Sequence, residues 1–174
     1  EQFSTIVLSQ KPFGMRTNFP DFRDQGTVKL YTKKKKQGWA MISKKDVTKN
    51  QNLISLWKVV TSRSTSVPEE DNGQVLRMSQ TFIARPGEVV TESYVVVGVF
   101  KTEEKAENCL SYLKTKFFRF LCQISIVSPD VSQRTFDLVP LIDMDKSVTS
   151  EEMYEKYNLS EEEIRLIESS IKEF

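Results

Sequence analysis

The chain contains no histidine at all. That absence excludes a His-based catalytic triad, a histidine general base and a histidine-held zinc water. Glycine is sparse, with six residues in 174, and no two stand in Gly-x-Gly spacing. A dinucleotide or methyl-donor glycine loop is therefore missing, as is the Gly-x-x-x-x-Gly-Lys of a P-loop. There are only two cysteines, Cys109 and Cys122, and no Cys-x-x-Cys. Both fall in one predicted helix, where thirteen residues rise about 20 Å. They cannot bridge there and read as reduced thiols of a cytoplasmic protein. No structural zinc and no other metal or cofactor is expected in this chain. No apolar run approaches the roughly 20 residues of a membrane helix, so no membrane partner is expected.

What remains is ordinary globular material. Hydrophobic residues make up 39% and charged residues 28%, and eleven phenylalanines supply a core. The chain starts at Glu1 rather than methionine, which reads as a piece of a longer protein. The net charge of +1 hides an asymmetry. Residues 11 to 63 concentrate the lysines and arginines, including the run Lys33-Lys34-Lys35-Lys36, whereas the tail from Glu151 on is acidic. Such a distribution suits one face made for a polyanion, or simply a solvated basic surface.

Residues 3–8 (FSTIVL) read as a short strand, followed by a loop punctuated by Pro12, Gly14 and Pro20. Val28 to Thr32 and Gly38 to Ile42 are short apolar runs, with Lys33 to Gln37 as a hairpin tip between them. Trp57 to Ser62 and Thr81 to Arg85 predict strands, with a loop over Thr65 to Asn72 and a turn at Pro86-Gly87-Glu88. Glu92 to Phe100 is the most strongly β segment. Its Val95-Val96-Val97 run lacks alternation, as in a strand buried on both faces.

Thr102 to about Ile124 predicts one helix, N-capped by Thr102. Its apolar stripe runs through Ala106, Leu110, Leu113, Phe117, Phe120, Leu121 and Ile124. Tyr112 falls on a polar stripe, Lys105, Lys116 and Arg119 on a solvated face, and Phe118 away from the apolar stripe. Phe136 to Leu141 reads as a final extended segment. Thr149-x-x-Glu152 and Ser160-x-x-Glu163 each fit a capping box, with Ile164, Ile167 and Ile171 as the last helix's buried stripe. The expected class is α+β: a mixed or mostly antiparallel sheet, one long packed helix and a C-terminal helical tail.

Several segments, taken in order, carry a resemblance. They are Leu8 to Phe19 (LSQKPFGMRTNF), Val28 to Tyr31 (VKLY) with Gly38-Trp39, and Trp57 to Ser64 (WKVVTSRS). Gly98 to Glu103, Leu110 to Leu121 (LSYLKTKFFRFL), Asp130 to Ser132 with Phe136 to Pro140, and Tyr157 to Ile164 (YNLSEEEI) follow. The series resembles the C-terminal, TaqI-like specificity region of adenine-specific DNA methyltransferases from type II restriction–modification systems. The resemblance covers nearly the whole chain, and it is carried by the ordered set rather than by one motif. It implies that residues 1–145 form a target recognition domain for double-stranded DNA and residues 146–174 a helical tail packed on it. It also implies a catalytic methyltransferase domain of the same parent chain that binds S-adenosylmethionine, in some members with a nuclease attached. The Asn/Asp-Pro-Pro-Tyr/Phe turn of that chemistry is absent here, since no two prolines adjoin. The chain itself is thus expected to be a non-catalytic recognition piece.

Within that reading, Lys11, Arg16, Thr17 and Asn18 are the candidate base readers, because Arg matches guanine and Asn matches adenine by bidentate bonds. The bland alternative makes Asn18 a turn former and Arg16 half of an ion pair. Lys33, Lys34, Lys35 and Lys36 could lie along phosphates or merely solubilise a turn. Trp39 could contact a base or belong to the core. Lys58, Ser62, Arg63 and Ser64 follow a strand into a loop, where Arg63 and its flanking hydroxyls suit a phosphate or base edge. Two other classes stay open. Pro20-Asp21 with Glu103-Glu104-Lys105 could imitate a metal-dependent nuclease site, although capping explains the helix-start residues. The acidic tail could instead hold a protein partner.

Overall fold

The computed structural model describes residues 1–64, 81–126 and 130–173, and the loop expected over 65–72 lies outside them. The fold is α+β. Two three-stranded sheets form. The first has the order β2-β1-β5, from β1 (Val28–Tyr31), β2 (Trp39–Ile42) and β5 (Glu88–Val90). There β1 pairs antiparallel with β2 and parallel with β5. The second has the order β4-β3-β6 and is antiparallel throughout, from β3 (Trp57–Ser62), β4 (Thr81–Ala84) and β6 (Tyr94–Phe100). The Pro86-Gly87 corner, with Gly87 at φ +87°, carries the chain from β4 into β5, a strand not foreseen in the sequence.

The second sheet is buried on both faces. Val59, Val95 and Val97 join a core built with the helices, whereas Val60, Ala84 and Val96 join a second core that includes Val28, Leu30, Ile42 and Val89 of the first sheet. This is why the valine run does not alternate with polar residues. Val59 pairs with Gly98 and Val60 with Val96, so Val97 is the extra residue of a β-bulge.

The N-terminal segment is not a strand. Phe3–Ile6 forms a 3₁₀ turn whose Phe3 is fully buried against Tyr112, Phe118 and Phe136. Its ends are tied by Phe3 N–H to Val139 O (2.8 Å) and by Leu8 N–H to Val96 O (2.9 Å). A buried aromatic anchor outweighs the β propensity of six residues. The expected extended segment at Phe136 likewise begins as a 3₁₀ turn, Gln133–Phe136.

The single long helix is two: α1 (Glu103–Lys114) and α2 (Lys116–Ser125). Thr115 breaks it with extended ψ (143°). Its hydroxyl donates to Tyr112 O (2.7 Å) and accepts from Phe118 N–H (3.1 Å), so one side chain closes α1 and caps α2. The break rotates the second half. Phe118, expected to point away, is fully buried, and Ile124, expected inside, is 55% exposed. Tyr112 leaves its polar stripe and is buried, donating to Pro140 O (2.9 Å).

Of the three cations expected on a solvated face, Lys105 is exposed as expected, whereas Lys116 is half-buried and Arg119 is buried. Lys105 pairs with Asp145 (2.7 Å). Lys116 pairs with Glu168 (2.6 Å) and Glu173 (2.7 Å). Arg119 is only 3% exposed and donates to Lys172 O (2.8 Å). These α2 cations seat the tail, formed by α3 (Ser150–Lys156) and α4 (Glu161–Ser170), both with complete capping boxes. Met153, Tyr154 and Ile167 enter the helical core; Ile171 is buried and Ile164 partly so. Both cysteines are free and buried, and burial pushes their thiols far above the ordinary range. No helix among the described residues is long and apolar enough to cross a membrane.

Candidate nucleic-acid interface

The loop after the first turn is pinned from beneath and exposed above. Phe13 and Met15 are buried in the core between the sheets. Thr48 N–H donates to Phe13 O (3.2 Å), Asn50 Nδ2 to Pro12 O (2.7 Å) and Glu92 N–H to Met15 O (3.0 Å). Gly14 holds φ +86°, and a Cβ there would strike Thr48 Oγ1. Arg16, Thr17 and Asn18 follow these anchors and are exposed. Lys11 is half-buried, 3.9 Å from Glu92 Oε2. Thr17 donates its N–H to Glu92 Oε1 (3.2 Å), and its hydroxyl lies 2.7 Å from Ser93 Oγ.

The hairpin tip forms as expected. It closes by Thr32 N–H to Gly38 O and Gly38 N–H to Lys35 O, both 2.9 Å, with Gly38 at φ +82°. Lys33, Lys34, Lys35 and Lys36 are all exposed, but they are not equivalent. Lys33 donates to Ser62 Oγ (3.3 Å) and stands 5.9 Å from the Tyr94 ring. Lys34 donates to Asn18 O (3.2 Å) and Lys35 sits 4.8 Å over the Phe22 ring. These two fasten the hairpin to the loop. The Lys36 and Arg16 side chains make no hydrogen bond or ion pair among the described residues. Trp39 is on the surface, 37% exposed, with the Lys29 amine 5.0 Å from its ring.

At the end of β3 the predicted group divides. Arg63 and Ser64 reach the same region: Arg63 N–H donates to Ser93 O (2.9 Å), and its guanidinium lies 3.7 Å from Asp130. Thr17, Lys33, Arg63, Ser64, Glu92, Ser93 and Asp130 line one recess of about 410 Å³. Ser62 is buried and reaches this site only through Lys33.

Lys58 does not belong there. It is 0% exposed, and its ammonium donates to Leu53 O (3.1 Å) and Ile54 O (3.0 Å), 6.0 Å from the Phe13 ring. Burial pushes its pKa down to about 8, partly offset by the Glu88 carboxylate. A cation in an alternating strand looks like a surface residue in sequence. Here both faces of the strand are covered, so it points into a core.

Sequence reasoning missed Glu92 and Ser93. Glu92 meets two of the predicted loop residues, Lys11 and Thr17, and Ser93 bonds Thr17 and Arg63. The available signal was the polar pair itself, standing between two apolar strands. Among the described residues no group of three or more His, Cys, Asp or Glu gathers to hold a metal ion. Glu103 and Glu104 lie in the first turn of α1, above the Thr102 cap. No protein-family model, no curated protein and no solved structure matches the chain.

Proposed function

We propose that this chain recognises double-stranded DNA by sequence, as the target recognition domain of a type II restriction–modification adenine-N6 methyltransferase. The resemblance of its ordered segments supplies the family. One observation supports the recognition role: the loop carrying Arg16 to Asn18, the lysine hairpin tip and Arg63-Ser64 converge around one recess. A catalytic domain of the same parent chain would bind S-adenosylmethionine and transfer the methyl group in the cytoplasm. The present chain would hold the duplex and choose the site. Phosphates would meet the hairpin lysines, while Arg16 and Asn18 suit base edges.

The test is fluorescence anisotropy of the chain with mixed-sequence duplex DNA over a range of salt. Binding should weaken with salt, and replacing Lys33–Lys36 together by alanine should weaken it further. Each phosphate contact carries a slope of roughly −0.9 in log K against log salt. Lys36→Ala should therefore flatten the slope by about one, whereas Lys34→Ala, whose amine holds Asn18 O, should flatten it less. Absence of binding at low salt, for this chain and for its intact parent, would sink the reading. Salt-insensitive binding to protein alone would favour the partner-holding alternative.

A further inference from the structure

A groove of about 490 Å³ opens between α3 and α4 in the tail. Its floor is apolar, made by Tyr154, Leu159 and Ile164, which all pack on the helical core. Its rim carries three carboxylates, Glu151, Glu155 and Glu168. Glu168 is already engaged, by Lys116 Nζ (2.6 Å) and by the Tyr154 hydroxyl (2.7 Å). Glu151 and Glu155 are exposed, and their side chains make no hydrogen bond or ion pair among the described residues. They stand four apart on α3, where like charges repel across one turn. An apolar bed under two unanswered carboxylates suits an aliphatic stem that ends in a cation.

The same molecule presents such stems on its far side. Residues 33–37 of the hairpin tip are all exposed, and the Lys36 side chain has no partner among the described residues. Tip and groove cannot meet within one chain. The hairpin's sheet packs on one face of the β4-β3-β6 sheet, α1 and α2 pack on the other, and the tail lies on α2. These layers hold tip and groove roughly 20–30 Å apart, at about 10 Å per layer.

We infer that the chain associates with itself head to tail, the lysine hairpin tip of one copy docking in the α3–α4 groove of the next. Lys36 supplies the stem, its methylenes over Leu159 and Ile164 and its ammonium between Glu151 and Glu155. The two surfaces differ, so the contact is heterologous, and each bound copy still offers one tip or one groove to another. A five-residue tip buries less than the roughly 1,200 Å² of a stable interface, so the contact is transient and mainly electrostatic. The inference does not depend on the DNA-binding reading, and its test contains no DNA.

Sedimentation velocity of the whole chain at low salt should give a sedimentation coefficient that climbs with protein concentration. Salt near 1 M should return it to the monomer value, because exposed charges are then screened beyond about 3 Å. Lys36→Glu and Glu155→Lys each change an exposed side chain that has no bond to lose, so both should fold. The second places a cation in the last turn of α3, where the helix dipole favours it. Each variant alone should weaken association by about tenfold or more, since like charges then face each other. Mixed one to one they should associate again, because Glu155→Lys brings an intact tip and Lys36→Glu an intact groove. A coefficient that stays at the monomer value at every concentration in low salt overturns the inference. So does association that either variant leaves unchanged, or a mixture that stays monomeric where the wild type associates.

Discussion

Lys58→Ala is expected to destabilise the fold by roughly 2–5 kcal/mol, as truncation of a long buried side chain does. Lys58→Met is expected to leave stability at neutral pH unchanged or raised. The difference follows from what the ammonium contributes. Its stem fills space opposite Ala84 in the sheet and near Phe13, and alanine leaves that space empty. Its two hydrogen bonds are replaceable, because Leu53 O also accepts from Leu56 N–H (3.1 Å) and Ile54 O from Gly87 N–H (2.8 Å). Methionine therefore orphans no carbonyl and removes a buried charge, which is often neutral or stabilising.

The pH dependence has a definite sign. Lys58 in the folded chain loses its proton near pH 8, against about 10.4 when unfolded. Below pH 8 both states hold the proton and the folded state bears the full desolvation penalty, about 3 kcal/mol for a depression of this size. Between the two values the unfolded chain binds more protons, so stability rises with pH. Urea denaturation at about pH 7 and about pH 10 should show this rise in the wild type and its loss in Lys58→Met. A wild-type curve that is flat or falling across that interval, with no difference from Lys58→Met, would refute the assignment.

Gly26→Ala is expected to cost about 3 kcal/mol, at the upper end of overpacking. A Cβ at this position would lie 2.5, 2.6 and 2.9 Å from the O, N and C atoms of Ile42. Those are backbone atoms of a fully buried residue in β2, so no side chain can swing aside. The turn must move instead. That breaks Arg23 N–H to Met41 O (2.8 Å) and disturbs Val28 against Ile42, the first pair of the hairpin. The melting temperature should fall by roughly 6–12 °C for a chain of this size, and DNA binding through the hairpin tip should weaken with it. Gly38→Ala is the control: nothing lies within 4 Å of its Cβ, so only its φ of +82° is strained. A melting temperature for Gly26→Ala no lower than that of Gly38→Ala would contradict the close approach.

Local signals were legible in the sequence wherever a few neighbouring residues decide the outcome. The Thr102 cap and both tail capping boxes depend on contacts spanning three positions, and the lysine hairpin tip on contacts spanning no more than six. The valine run of β6 announced burial on two faces. What could not be read depends on distant partners. Thr115 gives no strong breaker signal, yet its hydroxyl ends one helix and begins the next, and the positions of Phe118 and Ile124 follow. Phe3 turns an apparent strand into an anchor because three aromatic residues over a hundred positions away receive it. In the candidate site, the loop and hairpin residues were legible as exposed cations between breakers. Lys58 was not separable from them, since only the layer packed over its strand makes it internal.

Burial of one sheet on both faces has a consequence for how its strands find their alignment. A half-exposed strand is aligned by polarity, because a one-residue slip would turn its apolar side outward. β3 and β6 lack that guide; a slipped valine still meets oil. Alignment must come from groups that fit in only one place. The Lys58 amine reaches two carbonyls of the 53–54 turn, and the Thr61 hydroxyl lies 2.9 Å from that of Thr81. Gly98 lies where the Phe100 ring would be 2.8 Å from a Cβ. These polar and missing side chains act as keys cut for a single register, and the stability lost at Lys58 is exchanged for a strand that can dock one way.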